Sequence, residues 1–291
     1  RWAARIARAQ SFLAPDLPSE LVQLSWRDCT HYNKFDSATA RAYNRVKLVL
    51  PKKGKPVGRS SDLSHAIEDY LKAIYELQQG ELPVSTSALA QRLGFASASV
   101  TGMLKKLAAH MSRLVNYRRH RGVFLTPTGE KIALEIIRHH RLIELYLMEA
   151  LGYSWDEVHA EAEKLEHVIS ESFEERIANF LGEPELDPHG DPIPTKEGRV
   201  AVSVGKRLSS LQFGQAGRIT RVEDEDPELL RYLTELGLRP RALVTVTARA
   251  PFGGPLHVRT DGGAPQALGD KVAESVYVEL VGEKAADGQP D

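Results

Sequence analysis

The chain has 291 residues, 42% of them apolar, and a formal net charge of −1. That length allows two or three domains. No run approaches the ~20 apolar residues of a membrane span, and no secretory signal pattern is visible. Cys29 is the sole cysteine, which excludes an internal disulfide and a thiolate zinc site, and fits a reducing cytoplasm. Any metal must therefore be held by His, Asp and Glu.

Residues 1–60 are basic and poor in acids, ending in Lys52-Lys53-Gly54-Lys55-Pro56. The chain opens on Arg1 rather than Met, so its true start is expected upstream. Trp2–Leu13 fits a short amphipathic helix, with a targeting segment as one alternative. The plainer expectation is a disordered extension or an over-long gene start. Order is expected from about Ser61. Leu63, Ala66, Ile67, Tyr70, Leu71, Ile74, Tyr75 and Leu77 recur with helical period over Asp62–Gln79, with Ser61 or Asp62 as cap and Gly80 as stop. A second helix is expected over Ser85–Leu93, stopped by Gly94, and a third from Ala98 to about His110, capped by Ser97. Helix, tight turn, helix is the helix-turn-helix pattern. Two short runs, Arg113–Arg119 and Gly122–Thr126, flank a basic tip and predict a β-hairpin wing.

The charge balance is uneven along the chain. Between Ser85 and Lys131 the basic residues are Arg92, Lys105, Lys106, Arg113, Arg118, Arg119, Arg121 and Lys131, against the single acid Glu130. Such an excess beside a helix-turn-helix suits phosphate neutralisation. Ser97, Ala98, Ser99 and Thr101 are short enough at the start of the third helix to approach base edges in a major groove. Lys105, Lys106, Arg118, Arg119 and Arg121 are the expected phosphate contacts. A solvated charged face is the plain alternative.

Two longer helices, Thr128–Leu151 and Trp155–Leu181, follow, separated by Gly152. On the second, His159, Glu163, Glu166 and His167 span an arc of roughly 100°. They border an apolar stripe of Val158, Ala162, Leu165, Ile169 and Phe173. On the first, His140 and Glu144 stand four residues apart. One such pair is usually a solvated surface pair; two sets on consecutive helices point to a metal. Carboxylates with imidazole and no thiolate suit Mn²⁺ or Fe²⁺, and Zn²⁺ or Co²⁺ would also bind. After a proline-rich stretch, Pro184–Pro194, and a linker, 196–210, short β runs are expected at Gly217–Val222, Leu243–Ala250, Leu256–Arg259 and Ser275–Val281. A helix, Pro227–Leu236, lies between the first two. This part reads as a small SH3-type barrel.

Several motifs carry a family resemblance: Glu68-Asp69-Tyr70-Leu71-Lys72-Ala73-Ile74-Tyr75-Glu76-Leu77, Ser97-Ala98-Ser99-Val100-Thr101, Leu125-Thr126-Pro127-Thr128-Gly129, His139-His140-Arg141-Leu142, Glu163-Lys164-Leu165-Glu166-His167 and Pro188-His189-Gly190-Asp191-Pro192. In them the chain resembles the diphtheria toxin repressor and manganese transport regulator (DtxR/MntR) family, strongly over about 62–194 and weakly to Val281. The resemblance implies a mainly helical, cytoplasmic homodimer binding double-stranded operator DNA. Its parts would be a winged helix-turn-helix domain (61–132), a metal-binding and dimerisation domain (133–195), a linker (196–210), an SH3-like, FeoA-like barrel (211–282) and a tail (283–291). It implies Asp69, His140, Glu163, Glu166 and His167 as metal ligands, and Glu144 with His159 as an ancillary set. Glu163 stands where the iron-responsive branch has cysteine and the manganese branch glutamate, which favours Mn²⁺ over Fe²⁺. Lys72 replaces a carboxylate of the manganese branch, and Gly102 replaces a base-reading glutamine of the iron branch. Glu223, Asp224 and Asp226 could offer a ligand from the barrel. No nucleophile or oxyanion motif points to an enzyme. The rival readings are a winged-helix regulator of an organic ligand and a metal-dependent hydrolase using Glu166 as base.

Overall fold

The computed structural model describes residues 64–281 apart from 81, 110–113, 204 and 224–225. The expected extension, the caps Ser61 and Asp62, and Leu63, Arg113, Asp224 and the tail lie outside the described residues. The fold is the expected one: a winged helix-turn-helix, a helical middle part and a C-terminal sheet carrying the SH3-like domain. No described helix is long and apolar enough to cross a membrane.

Helix α1 (His65–Leu77) buries Tyr70, Leu71 and Ile74 at three- and four-residue spacing, and also the charged Glu68 and Lys72. Helix α2 (Thr86–Leu93) starts on Ser85, whose hydroxyl accepts from Ala88 N at 3.0 Å. It stops at Gly94, where φ is +68°, a conformation costly for residues with a Cβ. Helix α3 (Ser97–Ala109) buries Val100, Leu104 and Leu107. It begins at Ser97 itself, one residue before the expected start. Strands β1 (Val115–Arg118) and β2 (Gly122–Leu125) pair antiparallel, with Val115 opposite Leu125 and Arg118 opposite Gly122. These elements share one core that includes Leu71, Ile74, Leu89, Leu104 and Leu114.

Helix α4 (Pro127–Leu151) has Pro at its first position and Thr126 as cap, and ends at Gly152 with φ +76°. The expected single helix over 155–181 is instead two. Helix α5 (Val158–Leu165) ends, and α6 (Glu171–Phe180) begins, on either side of a tight turn. Val168 N and Ile169 N both bond back to Leu165 O, at 3.0 and 3.3 Å. Ser170 then caps α6, its hydroxyl accepting from Phe173 N. A serine followed by three helix-forming positions favours a new N-terminus over continuation. Two consequences follow. Glu166 and His167 occupy the turn rather than a continuous helical face, and Phe173, expected in the apolar stripe, is 46% exposed.

The C-terminal sheet is antiparallel in the order β3-β8-β4-β5-β6-β7, with β3 Lys206–Arg207, β4 Ala216–Val222, β5 Leu243–Arg249, β6 Leu256–Thr260, β7 Gln266–Leu268 and β8 Val276–Leu280. Helix α7 (Pro227–Glu235) and the short α8 (Asp270–Ser275) accompany it. Strand β3 and the buried Leu208 fall inside the stretch read as linker. Such a short, charged strand gives no period to detect. The middle part is tied to this sheet at Trp155 and along the loop 187–191. Trp155 enters the sheet's core, its indole N–H donating to Thr234 Oγ1 at 2.7 Å. The loop 187–191 lies along β4: Val222 N donates to His189 O at 2.9 Å, and Arg221 pairs with Asp191 at 3.1 Å. Gly190, φ +90°, permits this, since a Cβ there would stand 2.0 Å from Thr220 O.

Candidate metal centre and nucleic-acid interface

Four segments converge beside α4: α1, α5 with the α5–α6 turn, α4 itself and the loop 187–191. On α1, Asp69 Oδ1 lies 2.7 Å from His167 Nε2, whose other nitrogen, Nδ1, lies 2.7 Å from Glu68 Oε2. Glu166 Oε1 is 3.4 Å from His167 Nε2. Further in, His140 Nδ1 makes a short hydrogen bond to Glu166 Oε2, and His140 Nε2 lies 2.9 Å from Glu144 Oε1 and 3.0 Å from His159 Nδ1. Beyond Glu144, His189 Nδ1 is 3.8 Å from its second oxygen. His189 donates its Nε2 proton to Trp155 O at 2.9 Å.

Every expected metal-site residue is therefore in this cluster: Asp69, His140, Glu144, His159, Glu163, Glu166 and His167. Their donor atoms converge within 4.8 Å in three overlapping groups, Asp69–Glu166–His167, His140–Glu144–His159 and His140–Glu163–Glu166. A fourth group, Glu144–Asp187–His189, adds two residues outside the expected ligand set, Asp187 and His189. Their signal was the run Asp187-Pro188-His189-Gly190-Asp191, where proline and glycine fix a turn between two acids and an imidazole. Glu68 was missed because neighbouring acids on a helix point 100° apart, and only the turned position of His167 brings both into reach. Glu223 and Asp226 have other work. Glu223 accepts from Arg207 and Tyr277 Oη, at 3.0 and 2.6 Å, and Asp226 caps α7. Neither joins a ligand cluster among the described residues.

The electrostatics show how these acids coexist. Burial works against charge on His140, but the Glu144 carboxylate and bonds to Glu144 and Glu166 outweigh it, lifting its pKa to about 9. His167 is lifted to about 9 in the same way, by Asp69 and Glu68 against burial, and His189 likewise by Glu144. Glu144 is held well below the ordinary carboxylate range, burial being outweighed by His140. Burial, with Glu144 and Asp191 nearby, pushes Asp187 up to about 7.

The donor sets fit a divalent ion unevenly. Asp69–Glu166–His167 and His140–Glu144–His159 offer hard oxygens and imidazole without thiolate, a set that suits Mn²⁺ or Fe²⁺ and that Zn²⁺ or Co²⁺ can also use. The His140–Glu163–Glu166 group does not fit as arranged. The Lys72 ammonium stands in it, 2.6 Å from Glu163, 2.8 Å from Glu166 and 3.2 Å from His140 Nδ1. Lys72 is a cation delivered by the chain where a carboxylate would favour a further metal.

In the winged domain, Ser97, Ala98, Ser99, Lys105 and Lys106 of α3 are exposed, and Arg118, Arg119 and Arg121 are exposed on the wing. Thr101 is half-buried, its hydroxyl donating to Ser97 O at 2.9 Å. The wing tip turns through His120, φ +61°, and Gly122, φ +97°. A Cβ on Gly122 would stand 2.6 Å from Val84 O, so glycine lets the hairpin pack against the segment before α2.

A helix-turn-helix with an arginine-bearing wing, joined through an acidic and imidazole-rich cluster to further domains, defines a metal-responsive, DNA-binding regulator. Three family models match in succession: "Iron dependent repressor, N-terminal DNA binding domain" over 62–123, "Iron dependent repressor, metal binding and dimerisation domain" over 126–195 and "FeoA domain" over 206–280. The iron-dependent repressor IdeR of Mycobacterium tuberculosis (strain ATCC 25618 / H37Rv) is 30% identical over 236 residues, covering 76% of this chain and 100% of that protein. A solved manganese-dependent transcriptional repressor in complex with manganese is 39% identical, covers 74% of this chain and 100% of its own, and superposes with a TM-score of 0.68. ScaR with bound Cd²⁺ is 34% identical over 74% of this chain and 99% of its own, with a TM-score of 0.63. The chain belongs to the DtxR/MntR family of iron- and manganese-dependent, DNA-binding transcriptional repressors that serve metal homeostasis.

Proposed function

We propose that this protein is a cytoplasmic, homodimeric repressor that binds operator DNA when Mn²⁺, or next Fe²⁺, fills the cluster beside α4. Residues 61–132 form the reading head, 133–195 the sensing and dimerising part, and 211–282 the appended barrel. Asp69, Glu166 and His167 supply one set of ligands and His140, Glu144 and His159 another; Glu163, whose Oε1 lies 3.9 Å from His159 Nε2, joins the second set on release from Lys72. Ser97, Ala98, Ser99 and Thr101 approach base edges; Lys105, Lys106, Arg118, Arg119 and Arg121 approach phosphates.

The observation that carries this reading is the Asp69–His167 contact at 2.7 Å, which joins the first helix of the reading head to the α5–α6 turn. A bound divalent ion supplies a compact positive charge that the facing carboxylates share. Asp69 and Glu166 can then be held together without a proton on His167, and α1 is fixed against α4. In a dimer, fixing α1 on each side restricts the two α3 helices to one separation, which must match successive major grooves about 34 Å apart. DNA and metal then favour each other reciprocally, typically by ~1–3 kcal/mol. Glu163 as an oxygen donor supports Mn²⁺ over softer ions.

The test is fluorescence anisotropy on promoter DNA of metal-uptake genes, with Mn²⁺, with Fe²⁺ and with chelator. Wild type is expected to bind tightly only with metal. Asp69→Asn keeps size and polarity, and should still dimerise and take up metal through the remaining ligands, yet lose most of the metal-induced gain in affinity. An undiminished gain would show that the coupling does not run through α1.

A further inference from the structure

His139, next to the ligand His140, faces away from the cluster above. It is fully buried. Its Nδ1 lies 3.1 Å from the backbone oxygen of Glu166. A carbonyl oxygen can only accept, so Nδ1 carries the proton, and in the neutral ring Nε2 presents its lone pair. That atom has no hydrogen-bond partner among the described residues. It points at carboxylates instead: Glu174 Oε2 at 3.6 Å and Glu171 Oε1 at 3.8 Å. Glu135, one turn back on α4, completes a group in which Glu135, His139 and Glu171 each offer a ligand atom within 4.8 Å of the others. A lone pair aimed at carboxylate oxygens is repulsive, and 3.6–3.8 Å is too long for a hydrogen bond from a protonated ring. The 3.8 Å between His139 Nε2 and Glu171 Oε1 is a spacing that two ligands sharing one cation give, because a metal–ligand bond of about 2.0–2.2 Å on each side separates donor atoms by about 3–4 Å.

We propose that Glu135, His139 and Glu171 form a further divalent-cation site, separate from the cluster containing Asp69 and His140. The imidazole is prepared as metal-binding histidines usually are, its second nitrogen donating to a backbone carbonyl that fixes tautomer and ring orientation. The Glu171 side chain is 56% exposed and gives the ion its way in from solvent. Glu174 belongs to the setting rather than the ligand set, since Arg138 Nε holds it at 2.5 Å and balances its charge. One nitrogen and two carboxylates suit Mn²⁺ or Zn²⁺, with water completing the shell.

The carbonyl that orients His139 is that of Glu166, whose side chain is a proposed ligand of the main cluster. An ion on His139 therefore steadies the α5–α6 turn from its outer side.

The test uses the full-length, metal-stripped protein titrated separately with Mn²⁺ and Zn²⁺. Bound metal is counted by equilibrium dialysis with elemental analysis and by native mass spectrometry. Glu135→Gln and Glu171→Gln change a half-buried and an exposed side chain, and thermal unfolding checks that both fold. Each is expected to hold one metal fewer per chain than wild type and to keep those assigned to the main cluster, whereas Asp69→Asn keeps the His139-bound ion. Crystals soaked in Mn²⁺ should show an anomalous peak about 2.2 Å from His139 Nε2. Equal metal counts in wild type and Glu171→Gln, or soaked crystals without that peak, would overturn the proposal. Because DNA affinity is measured separately, loss of this site and failure of the repressor mechanism give different results.

Discussion

Lys72 is the residue whose replacement tests the electrostatic account most directly. Its side chain is 8% exposed and bridges Glu163 to the fully buried Glu166. Burial lowers its pKa, but Glu166 and Glu163 more than compensate, so it stays charged. Lys72→Met keeps the stem and removes the ammonium. Removing one partner of a buried pair generally costs about 3–5 kcal/mol, because the other charge is left uncompensated. Here the lower end applies, since His140 still bonds Glu166. At ~2–4 °C per kcal/mol for a protein of this size, the metal-free form should melt roughly 6–12 °C lower. Without the lysine, His140, Glu163 and Glu166 become a vacant acidic group, so the variant should bind one additional Mn²⁺ per chain and recover more than wild type on adding it. Scanning calorimetry with chelator and with saturating Mn²⁺, together with a metal count, measures both effects. An unchanged metal-free melting temperature would mean that Lys72 does not neutralise these acids; an unchanged stoichiometry would mean that it does not exclude a metal.

Glu163→Cys should shift preference from Mn²⁺ toward Zn²⁺ or Co²⁺, and calorimetry showing unchanged Mn²⁺ affinity would remove Glu163 from the ligand set. Arg119→Ala and Arg121→Ala should each flatten the salt dependence of DNA binding by about one unit of slope, equally for operator and random DNA; a double variant with the wild-type slope would place the wing off the phosphates. Ser99→Ala should instead change base preference at one operator position, read by binding to a substituted operator series. In the metal-free fold His140, His167 and His189 are lifted from 6.5 to about 9, so their stabilisation is complete below about pH 6.5 and lost as pH rises through 9. Ligation needs neutral imidazole, so metal uptake at pH 7.5 should release protons; the calorimetric enthalpy should then vary with the buffer's ionisation heat, and buffer-independent enthalpies would count against it.

How much was legible depended on whether a signal was local. Ser85 and Gly94 mark the ends of α2, and Thr126, Pro127 and Gly152 those of α4, because caps act within a turn of where they stand. The ligand types of α4 and α5 were visible at i, i+4 spacing. The break after Leu165 was not, because Val168, Ile169 and Phe173 continue an apolar rhythm that a straight helix would also show. Only Ser170 marked the new start, and serine is common within helices as well. Misreading that turn hid Glu68, whose partner His167 is swung toward α1 by it. Asp187 and His189 meet Glu144 through a loop docked on β4, a contact between segments more than forty residues apart that no window along the chain reports.

The same geometry decides what the cluster can couple. Glu144 touches His140 on its own helix and His159 on α5, and lies 3.8 Å from His189 in a loop bonded to the sheet. Asp69 and Glu68 reach the other end of the cluster from the reading head. Between them Glu166, fully buried, contacts both His140 and His167. A change of charge at either end is therefore felt by one carboxylate that cannot turn to water. Coupling between sites needs an element with two arrangements that both sites bias. Glu166 is the residue that both ends touch: it shares His140 with Lys72 and stands 3.4 Å from His167 Nε2. Head and helical core thereby meet at Glu166, placed in the turn that helical periodicity conceals.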